Sequence, residues 1–600
     1  MVKNPLIQSL RGLSVTLVVL FHIGIPVFRN GWVGVDIFFV ISGFLMWKIY
    51  EGSILEGNIS HFYSKRLQRL IPGLVVTLII SGIAFWFRSL PFERRDLVRE
   101  LFGSITSTSN ILYWSGDQYF SNGAFRPLLN MWSIACEIQF YLLFPLFIFW
   151  IRRDTKRFVL LLSASFLAAF TLNLLNAPSC FFLLPGRVWE FLIGGLAANY
   201  SGALFASKFN IRKPVILFLG ATSLWLLAQG MSNLGQFCFR TLVVILTAQL
   251  LTFPVNQLPK FLVSRPLILI GNYSYSIYLV HFPLICFIGY KPFMGNIALV
   301  DDAFLIFLFI PILALASWFL KCFVEDSIFM RSNKIYIHLV GFALILILAS
   351  SQPKIGNFGY TTAEVSVSNA MVDRDPFRCG FLLRMAFTNQ PYKSCNISKR
   401  PVSAGKVLLV GNSHADSIKA AVAESIPDYD LYLLNENNSL RTDTLMTYIR
   451  GVQWINPKYV ILHSSPGSTD LDTLEKFAQY LKSQNISLTV IAPIPQPPVN
   501  VPQYLYNHLG EDLSINFFTF PEFSIDSYLA QNKVELDSLK RLSSELNTRV
   551  IDTVDLYCLP LCQIVRKEGM KPLYFDTSHL TKTGASLLIN RIQTSFDEGL

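Results

Sequence analysis

Serine, aspartate and histidine occur near the C-terminus in an order and a setting that suit nucleophilic catalysis. The run KVLLVGNSHADS places Ser413 at a turn from a predicted strand into a predicted helix. The N-terminus of a helix at such a turn can stabilise an oxyanion. Asp576 and His579 lie three residues apart, just before another helical pattern. Such a pair can orient and charge-balance a base that activates a serine brought close by the fold.

A second group of chemically active residues lies in or beside apolar segments near the N-terminus. Arg11 and His22 are eleven residues apart in the first segment, which on a helix is close to three turns and about 16 Å along one face. Arg66 and Arg69 form an Arg-x-x-Arg step that suits a phosphate-rich ligand or a positive anchor. An acyltransferase that works across a membrane would need these two layers of residues. One hypothesis is therefore that Arg11, Arg66 and Arg69 hold the phosphates of coenzyme A at the cytosolic face, while its thioester reaches His22.

Further ionisable groups fall within apolar segments, where charges are costly and are usually functional or paired. By the predicted direction of each span, five of them lie in the outer half of the membrane and could converge on His22: Asp36, Glu137, Arg187, Glu190 and His281. Glu137 could serve as an acid or base, or bind a sugar hydroxyl. Arg187 and Glu190 are spaced i, i+3, which favours a structural ion pair. Structural roles also stay open for Arg11, as a snorkelling anchor, and for His22.

The composition places most of the chain in a membrane. Of its 600 residues, 52% are hydrophobic and only 15% are charged, which is far from a soluble composition. The net charge of +11 comes from short basic clusters between apolar runs, as in cytosolic membrane loops, so nucleic-acid binding is not predicted. The cysteines show no zinc-binding spacing, so no metal is predicted. Four cysteines of the polar C-terminal part could form disulfides: Cys379, Cys395, Cys558 and Cys562.

About eleven apolar stretches are long enough to cross about 30 Å of hydrocarbon. They lie near residues 6–28, 32–50, 71–88, 138–151, 158–176, 181–200, 214–230, 236–253, 267–290, 303–320 and 335–350. With the N-terminus in the cytosol, most basic clusters fall on the cytosolic side, as the positive-inside rule requires. An odd number of spans then places everything after about residue 351 outside the cytoplasm.

The polar part of the chain has a different pattern. Residues 351–405 are rich in polar residues, Gly and Pro, and are predicted to form a linker between a membrane domain, 1–350, and a soluble domain, 406–600. Within the soluble domain, short aliphatic runs alternate with helical patterns; the runs lie at 407–410, 431–434, 459–463, 488–492 and 549–552. Such alternation predicts an α/β domain of three layers, with a mostly parallel sheet covered by helices.

The N-terminal half closely resembles the acyltransferase-3 family of integral membrane O-acyltransferases. The resemblance rests on motifs that occur in one order along the chain: SLRGLSVTLVVLFH, GWVGVDIFFVISGF, YSKRLQRLIP, MWSIACEIQFYLLFP, GRVWEFLIGG, NYSYSIYLVHFP and FVEDS. It implies acetyl-coenzyme A as the donor, Arg11 and His22 as essential residues, and a carbohydrate acceptor. The remaining motif residues are expected to bind substrate or support the site: Asp36, Arg187, Glu190, Tyr278 and His281.

The C-terminal part resembles the SGNH hydrolase superfamily in its serine turn, its α/β alternation and its closing Asp-x-x-His. The resemblance implies a triad of Ser413, Asp576 and His579. Two departures stand out. The family more often has Asp where this chain has Asn412. Its oxyanion glycine and asparagine have no clear counterparts, and Gly467 or Asn500 would be guesses.

Together the two resemblances predict an O-acetyltransferase of the bacterial inner membrane with a periplasmic C-terminal domain. It would move acetyl from cytosolic acetyl-coenzyme A to hydroxyls of a surface glycan, in particular lipid-linked lipopolysaccharide O-antigen. Peptidoglycan, exopolysaccharide or another glycoside is the alternative acceptor. The rival functions are a solute exporter, which has no need of a serine triad, and an esterase, for which so many spans are excessive. The sequence determines neither the acceptor sugar, nor whether Ser413 carries acetyl, nor the oligomeric state.

Overall fold

The chain folds into two units in this computed structural model, Met1–Gly356 and Asn357–Leu600. The structure describes residues 4–115, 125–175, 177–199, 232–253, 260–293, 295–296, 299, 302–327, 333–350, 352–374, 394–436, 439–509, 520, 522–546, 548–559, 561–566 and 569–597. Each unit is considered by itself below.

The first unit is helical. Its α-helices are Pro5–Ile23 (α1), Gly34–Leu55 (α2), Ile59–Trp86 (α3), Pro91–Ile105 (α4), Ser109–Ser115 (α5), Met131–Ile151 (α6), Thr155–Leu175 (α7), Ala177–Phe182 (α8), Val188–Asn199 (α9), Asn233–Thr252 (α10), Arg265–Asn272 (α11), Ser274–Gly289 (α12), Ala303–Phe319 (α13), Asn333–Ser350 (α14) and Pro353–Gly356 (α15). A π-helix, Leu320–Glu325, continues α13, and short 3-10 helices occur at Pro26–Phe28, Gly31–Val33, Leu184–Gly186 and Lys260–Val263. Two short antiparallel strands follow α12: Tyr290–Lys291 (β1) and Gly295–Asn296 (β2).

Local sequence signals set the ends of α1, the helix that carries Arg11 and His22. The side chain of Asn4 accepts a hydrogen bond from the backbone N–H of Leu6, and Pro5 occupies the first turn, where its missing N–H is harmless. Gly24 ends the helix in the left-handed conformation, which glycine adopts without strain. His22 therefore lies in the last turn of the helix.

Close helix contacts fix the arrangement around α1 and α2. A Cβ on Gly271 of α11 would lie 1.8 Å from the carbonyl oxygen of Gln8 in α1. A Cβ on Gly194 of α9 would lie 2.0 Å from the carbonyl oxygen of Val40 in α2. Small residues at such crossings let helices in a membrane approach closely, so α1 and α2 are held against α11 and α9.

The predicted count of eleven spans is not confirmed. In the described part of the chain, seven helices are long and apolar enough to cross a membrane, or eight if the pair α11 and α12, bent by 72°, is one span. The predicted span 181–200 is interrupted at Leu184–Gly186, so that α9 has only 12 residues; Pro185 and Gly186 account for the break. The predicted span 214–230 lies outside the described residues. The protein is nonetheless a multi-pass membrane protein.

The second unit contains a six-stranded sheet. Its strands are Ser394–Ser398 (β3), Lys406–Gly411 (β4), Asp430–Asn435 (β5), Tyr459–His463 (β6), Ser487–Ile491 (β7) and Arg549–Ile551 (β8), in the spatial order β3-β5-β4-β6-β7-β8. All neighbouring pairs are parallel except the antiparallel pair of β3 and β5. The sheet is therefore mixed, and the strand β3 falls inside the segment 351–405 that was predicted as a linker.

Helices of the second unit are Thr362–Ser368 (α16), Ser413–Ser425 (α17), Leu445–Ile455 (α18), Leu471–Ser483 (α19), Val501–Asn507 (α20), Ile525–Leu546 (α21), Val554–Tyr557 (α22), Lys582–Ala585 (α23) and Ile589–Asp597 (α24). Short 3-10 helices lie at Asn369–Met371 and Ser586–Leu588, and a small hairpin pairs Val565–Arg566 (β9) with Lys571–Pro572 (β10). The two sheet faces carry separate buried clusters, one shared with α17 and α24 and one with α18, α19 and α21. This is the three-layer arrangement that the alternating pattern predicts.

Strand order places the turn after β4 at a special position. β5 and β6 flank β4 on opposite sides, and the last residue of β4, Gly411, is level with Asn435 and His463. Ligands of open α/β sheets bind outside the carboxyl ends of the strands, where the strand order reverses. Ser413 follows β4 at this point.

Candidate active site

Ser413, His579 and Asp576 form a hydrogen-bonded line in the second unit. The Nε2 of His579 lies 2.7 Å from the Oγ of Ser413, and its Nδ1 lies 2.7 Å from the Oδ2 of Asp576. The other carboxylate oxygen of Asp576 accepts hydrogen bonds from the backbone N–H groups of Ser578 and His579. In this geometry Nδ1 of the ring donates to the carboxylate, so Nε2 has the lone pair that can accept the proton of the Ser413 hydroxyl.

Electrostatics support this assignment of protons. Burial raises the pKa of Asp576, but the hydrogen bond from His579 and the two backbone N–H groups outweigh it and hold the pKa below its usual value. The aspartate is therefore a stable carboxylate at neutral pH and can balance an imidazolium that forms on His579 during the reaction.

Asn412 explains how this chain manages without the aspartate found more often before the serine. Its side-chain oxygen accepts from the backbone N–H of His414 and so caps α17. Its Nδ2 donates to the hydroxyls of Ser465 and Ser468, at 2.8 Å and 3.2 Å. The amide thus holds the serine turn and the loop after β6 together.

Aromatic rings surround the histidine of the triad. The ring of Phe575 stacks on that of His579, with centroids 5.4 Å apart and planes 14° apart. The ring centroid of His414 lies 4.5 Å from that of His579, and the ring centroid of His463 lies 6.1 Å from that of His414. Burial lowers the pKa of His463 to about 4 and, with the two neighbouring histidines, that of His414 well below its ordinary value. Both are therefore neutral at physiological pH.

Of the two oxyanion donors guessed from the sequence, Gly467 is engaged elsewhere, whereas the Nδ2 of Asn500 takes no part in the bond that its side chain makes. The N–H of Gly467 donates to the carboxylate of Glu535, at 3.1 Å. The side-chain oxygen of Asn500 accepts from the backbone N–H of Gln503 and caps α20. The backbone N–H of Ser413 stands in the first turn of α17, where N–H groups have no acceptor within the helix. It is therefore a candidate donor to an oxyanion at Ser413.

The first unit contains a pocket that gathers the three arginines predicted to bind the donor. Its lining includes Arg11, Arg66, Arg69, Glu137 and Tyr278. Arg66 is 8% exposed, and its Nη2 donates to the hydroxyl of Tyr50. Its Nε is buried and has no hydrogen-bond partner in the structure. A buried, unused guanidinium donor beside two other arginines suits a phosphate group.

Glu137 lies on the wall of this pocket, and not beside His22 as expected. Its carboxylate accepts short hydrogen bonds from the hydroxyls of Ser42 and Tyr141. The wall also contains Arg11, so a cation from another helix lies in the same pocket. This position favours a role in holding the donor over general acid–base work beside His22.

Only one of the five groups expected around His22 contacts it. The Nε2 of His281 lies 3.1 Å from the Nδ1 of His22. The Nδ1 of His281 lies 2.7 Å from the carbonyl oxygen of Tyr278. The hydroxyl of Tyr278 bonds that of Ser133 at 2.5 Å, and both residues line the arginine pocket. Tyr278 therefore connects the histidine pair with the pocket.

The remaining groups form a buried ion cluster. Arg187 Nη1 lies 2.5 Å from Oδ1 of Asp36 and 2.9 Å from Oε1 of Glu190. Arg240 Nε lies 3.7 Å from Oδ1 of Asp36. The expected pair of Arg187 and Glu190 is present, and in the structure this group contacts Asp36 and lies beside Arg240. Two positive and two negative charges balance in the cluster, so it can remain buried. The sequence prediction passed over Arg240, although a charge inside the apolar span 236–253 was a signal of the same kind.

The cysteines divide between the two units. Cys558 and Cys562 form a disulfide, Cys395 is also disulfide-bonded, and Cys379 lies outside the described residues. The first five cysteines carry free thiols; three of them, Cys136, Cys180 and Cys286, are buried. Disulfides confined to the second unit are typical of an oxidising compartment.

A helical membrane unit joined to an α/β unit with hydrogen-bonded serine, histidine and aspartate is the architecture of a membrane acyltransferase fused to a hydrolase-like domain. Comparison with known families agrees: an acyltransferase domain model matches residues 4–322. A model described as an SGNH domain fused to such acyltransferase domains matches residues 379–594. The chain belongs to this acyltransferase family and carries an SGNH domain.

Curated relatives are similar over about half of the chain. O-acetyltransferase OatA of Staphylococcus aureus (strain NCTC 8325 / PS 47) is 29% identical over an alignment of 323 residues that covers 49% of this chain and 52% of the relative. Peptidoglycan O-acetyltransferase OatA of Listeria monocytogenes serovar 1/2a is 27% identical over 313 residues, 47% of this chain and 49% of the relative. The chain thus spans about half the length of the curated relatives it matches.

Solved structures with a faint likeness to the chain include the following two. The periplasmic domain of the Salmonella ser. Paratyphi A lipopolysaccharide acetyltransferase is 17% identical and covers 32% of this chain and 83% of its own, with a TM-score of 0.27. An acetyl xylan esterase, AlAXEase, is 17% identical and covers 32% of this chain and 98% of its own, with a TM-score of 0.22.

Proposed function

We propose that the protein is an O-acetyltransferase that moves acetyl from cytosolic acetyl-coenzyme A to hydroxyl groups of peptidoglycan. The observation that carries the proposal is the 2.7 Å contact between His579 Nε2 and Ser413 Oγ in a chain whose first half belongs to a membrane acyltransferase family. An activated serine and an acyltransferase domain in one chain favour transfer of an acyl group over transport or anchoring.

Peptidoglycan replaces lipopolysaccharide O-antigen as the favoured acceptor. The names of the relatives support this choice, since the Listeria relative is a peptidoglycan O-acetyltransferase. The residues that the structure describes do not identify a particular sugar, so the acceptor is inferred from these relatives. The proposal keeps the N-terminus in the cytosol and the SGNH domain outside the inner membrane, as the positive-inside rule and the disulfides suggest.

The donor is proposed from the arginine pocket. Arg11, Arg66 and Arg69 line one cavity, and the unused Nε of Arg66 is available to a phosphate of coenzyme A. His22, near the other end of α1, then acts as the base of the membrane step. The 16 Å or so that separate Arg11 from His22 along the helix match the reach expected of the pantetheine arm.

The outer step follows from the triad. Ser413 Oγ attacks the acetyl carbonyl while His579 Nε2 takes its proton, and the backbone N–H of Ser413 stabilises the oxyanion. As the acetyl–serine ester forms, the bond between the acetyl carbon and its donor breaks. The departing atom, either the sulfur of coenzyme A or the oxygen of a carrier acetylated in the membrane step, takes the proton from His579. A glycan hydroxyl, deprotonated by the same nitrogen, then attacks the ester, and the proton returns to Ser413.

The proposal is tested by acetyl analysis of cell-wall and lipopolysaccharide fractions from a strain without the gene, complemented with variants. Wild type should restore acetylated muropeptides, measured by mass spectrometry, and His22→Ala should not. Ser413→Ala should also lose acetylation if the outer serine carries acetyl. Ser425→Ala, at the end of the same helix α17, is the matched control and should behave as wild type.

Acetylation confined to the lipopolysaccharide fraction would overturn the peptidoglycan acceptor and keep the transferase. Acetylation that is equal in all strains, including the deletion strain, would overturn the transferase itself.

A further inference from the structure

A pair of hydrogen-bonded histidines joins two helices of the membrane unit. His22, in the last turn of α1, places its Nδ1 3.1 Å from the Nε2 of His281 in α12. The ring of His281 is 0% exposed, whereas that of His22 is partly exposed. The family comparison gives His281 no role, and the sequence leaves it as substrate-binding or structural.

The position of the proton on His281 follows from its neighbours. Its Nδ1 lies 2.7 Å from the carbonyl oxygen of Tyr278 and 3.1 Å from that of Ile277. Carbonyl oxygens only accept hydrogen bonds, so Nδ1 must carry the proton. A fully buried imidazole with only carbonyl and imidazole partners remains neutral. Its Nε2 therefore has a lone pair and no proton.

This assignment bears on the tautomer of His22, whose ring also has a hydrogen bond to the backbone of Val18. Because the Nε2 of His281 can only accept, the Nδ1 of His22 must donate to it. In the neutral ring of His22, the lone pair is then on Nε2. His22 is also the less buried residue of the pair, so we assign the basic atom to it.

The ring of His281, which accepts this hydrogen bond from His22, is held firmly. The carbonyl oxygen of Tyr278 accepts from the Nδ2 of Asn130, at 2.7 Å, in addition to His281. The hydroxyl of Tyr278 bonds Ser133 and the carbonyl oxygen of Asn130. Helix α6 and the turn before it therefore fix α12 where His281 projects, and the ring of His281 has little freedom to turn away from His22.

We propose that His281 is a positioning residue that fixes the tautomer and the orientation of His22, so that Nε2 of His22 is the base. This inference rests on the proposed function, in which His22 acts in the membrane step. In many active sites a carboxylate or carbonyl accepts a hydrogen bond from one ring nitrogen of a histidine and so fixes the tautomer, which leaves the other nitrogen as the base. In this inference His281 performs that task for His22. His281 does not contact the substrate in this role.

Two amide variants separate the two hydrogen bonds of His281. His281→Asn can place an N–H where Nδ1 lies and keep the bond to Tyr278, but it is too short to reach His22. His281→Gln can place a carbonyl oxygen where Nε2 lies and accept from His22. We expect the Asn variant to lose acetyl transfer about 10- to 100-fold, the range found for orienting partners of functional histidines, and the Gln variant to recover most of that loss.

The assay is acetyl transfer by the purified full chain in detergent or nanodiscs, with acetyl-coenzyme A as donor and a soluble muropeptide as acceptor. The loss should appear in kcat, while KM for the donor stays unchanged, because the arginine pocket is intact. The double variant His22→Ala/His281→Asn should be no slower than His22→Ala alone, since the two residues act as one unit. His61→Asn, an exposed histidine of α3, is the matched control.

The outcomes distinguish this inference from the proposed function. If His22→Ala transfers acetyl at the wild-type rate, the proposed membrane step is wrong. If His22→Ala is inactive but the Asn variant is as active as wild type, or no less active than the Gln variant, the positioning role is wrong. Should either amide variant fail to fold, the 15N NMR spectrum of histidine-labelled wild type, minus that of His22→Ala, still decides. A proton on Nδ1 of His22 supports the inference, and a proton on Nε2 overturns it.

Discussion

The side-chain nitrogen of Asn412 donates to the Oγ of Ser465 at 2.8 Å and so joins the serine turn after β4 to the loop after β6. The same side chain caps the helix that begins with Ser413. One amide therefore fixes both the nucleophile and the loop beside it.

This relationship predicts different results for two substitutions. Asn412→Ala removes the cap and both links to the loop, which should destabilise the second unit by about 1–2 kcal/mol and lower esterase activity. In Asn412→Asp the cap remains, and the hydroxyl of Ser465 can rotate to donate to the carboxylate, so most activity should remain. Hydrolysis of p-nitrophenyl acetate by the full chain measures both. An Asp variant as impaired as the Ala variant would contradict this account.

The Asp576–His579 hydrogen bond predicts a large effect of a small change. Asp576→Asn keeps the shape but can donate to Nδ1 of His579, which favours the tautomer with its proton on Nε2, facing Ser413. A base with that nitrogen protonated cannot accept the serine proton, and kcat should fall by about 10³–10⁴. Asp555→Asn, where the carboxylate pairs with the exposed Arg591, is the control. Ester hydrolysis within ten-fold of wild type would show that His579 does not need this partner.

Buried histidines give the second unit a defined response to acid. In an unfolded chain the pKa of histidine is about 6.5, but burial lowers that of His463 to about 4. Between these values the unfolded chain binds a proton that the folded chain excludes. The free energy of unfolding should therefore fall as the pH drops from about 6.5 towards 4, by up to about 1.4 kcal/mol per pH unit for each such histidine. Above pH 7 these groups should have no effect.

The variant His463→Asn tests this response. Asparagine does not titrate, and its Nδ2 can keep the bond to the carbonyl oxygen of Ile491 that Nδ1 makes in the native chain. The variant should be less stable at pH 7.5 but should lose less stability between pH 7.5 and pH 5, as measured by thermal unfolding of the full chain. Equal slopes for wild type and His463→Asn would contradict the assignment.

The sequence predicted the triad because its signals are local. A serine at a strand-to-helix turn and an Asp-x-x-His pair before a helix each specify a backbone position, and the α/β alternation brings the carboxyl ends of the strands to one edge. The bonds from Asn412 to Ser465 could not be predicted, because they join two loops whose separation depends on the sheet order.

The membrane unit was less predictable for a similar reason. The hydropathy of a segment indicates that it crosses the membrane. It says little about how the helix is rotated about its own axis or which other helices it packs against. His22 and His281 are 259 residues apart in the chain and meet only because α1 and α12 pack together. Glu137 was expected near His22 for its depth alone, whereas the rotation of α6 turns it to Ser42 and the arginine pocket.

Substitution of two buried arginines of the membrane unit should affect different properties, donor binding for one and stability for the other. Arg66 has an unused Nε at the pocket, so Arg66→Gln should leave a folded protein whose KM for acetyl-coenzyme A rises at least about ten-fold, as a charge-assisted bond to phosphate is lost.

Arg187 is 1% exposed and balances Asp36 and Glu190. Arg187→Met would leave two buried carboxylates beside one arginine and should destabilise the unit by about 3–5 kcal/mol. Fluorescence-detected size exclusion after heating measures stability, and donor titration measures KM. A stable Arg187→Met protein that cannot transfer acetyl would instead place the ion cluster in the reaction.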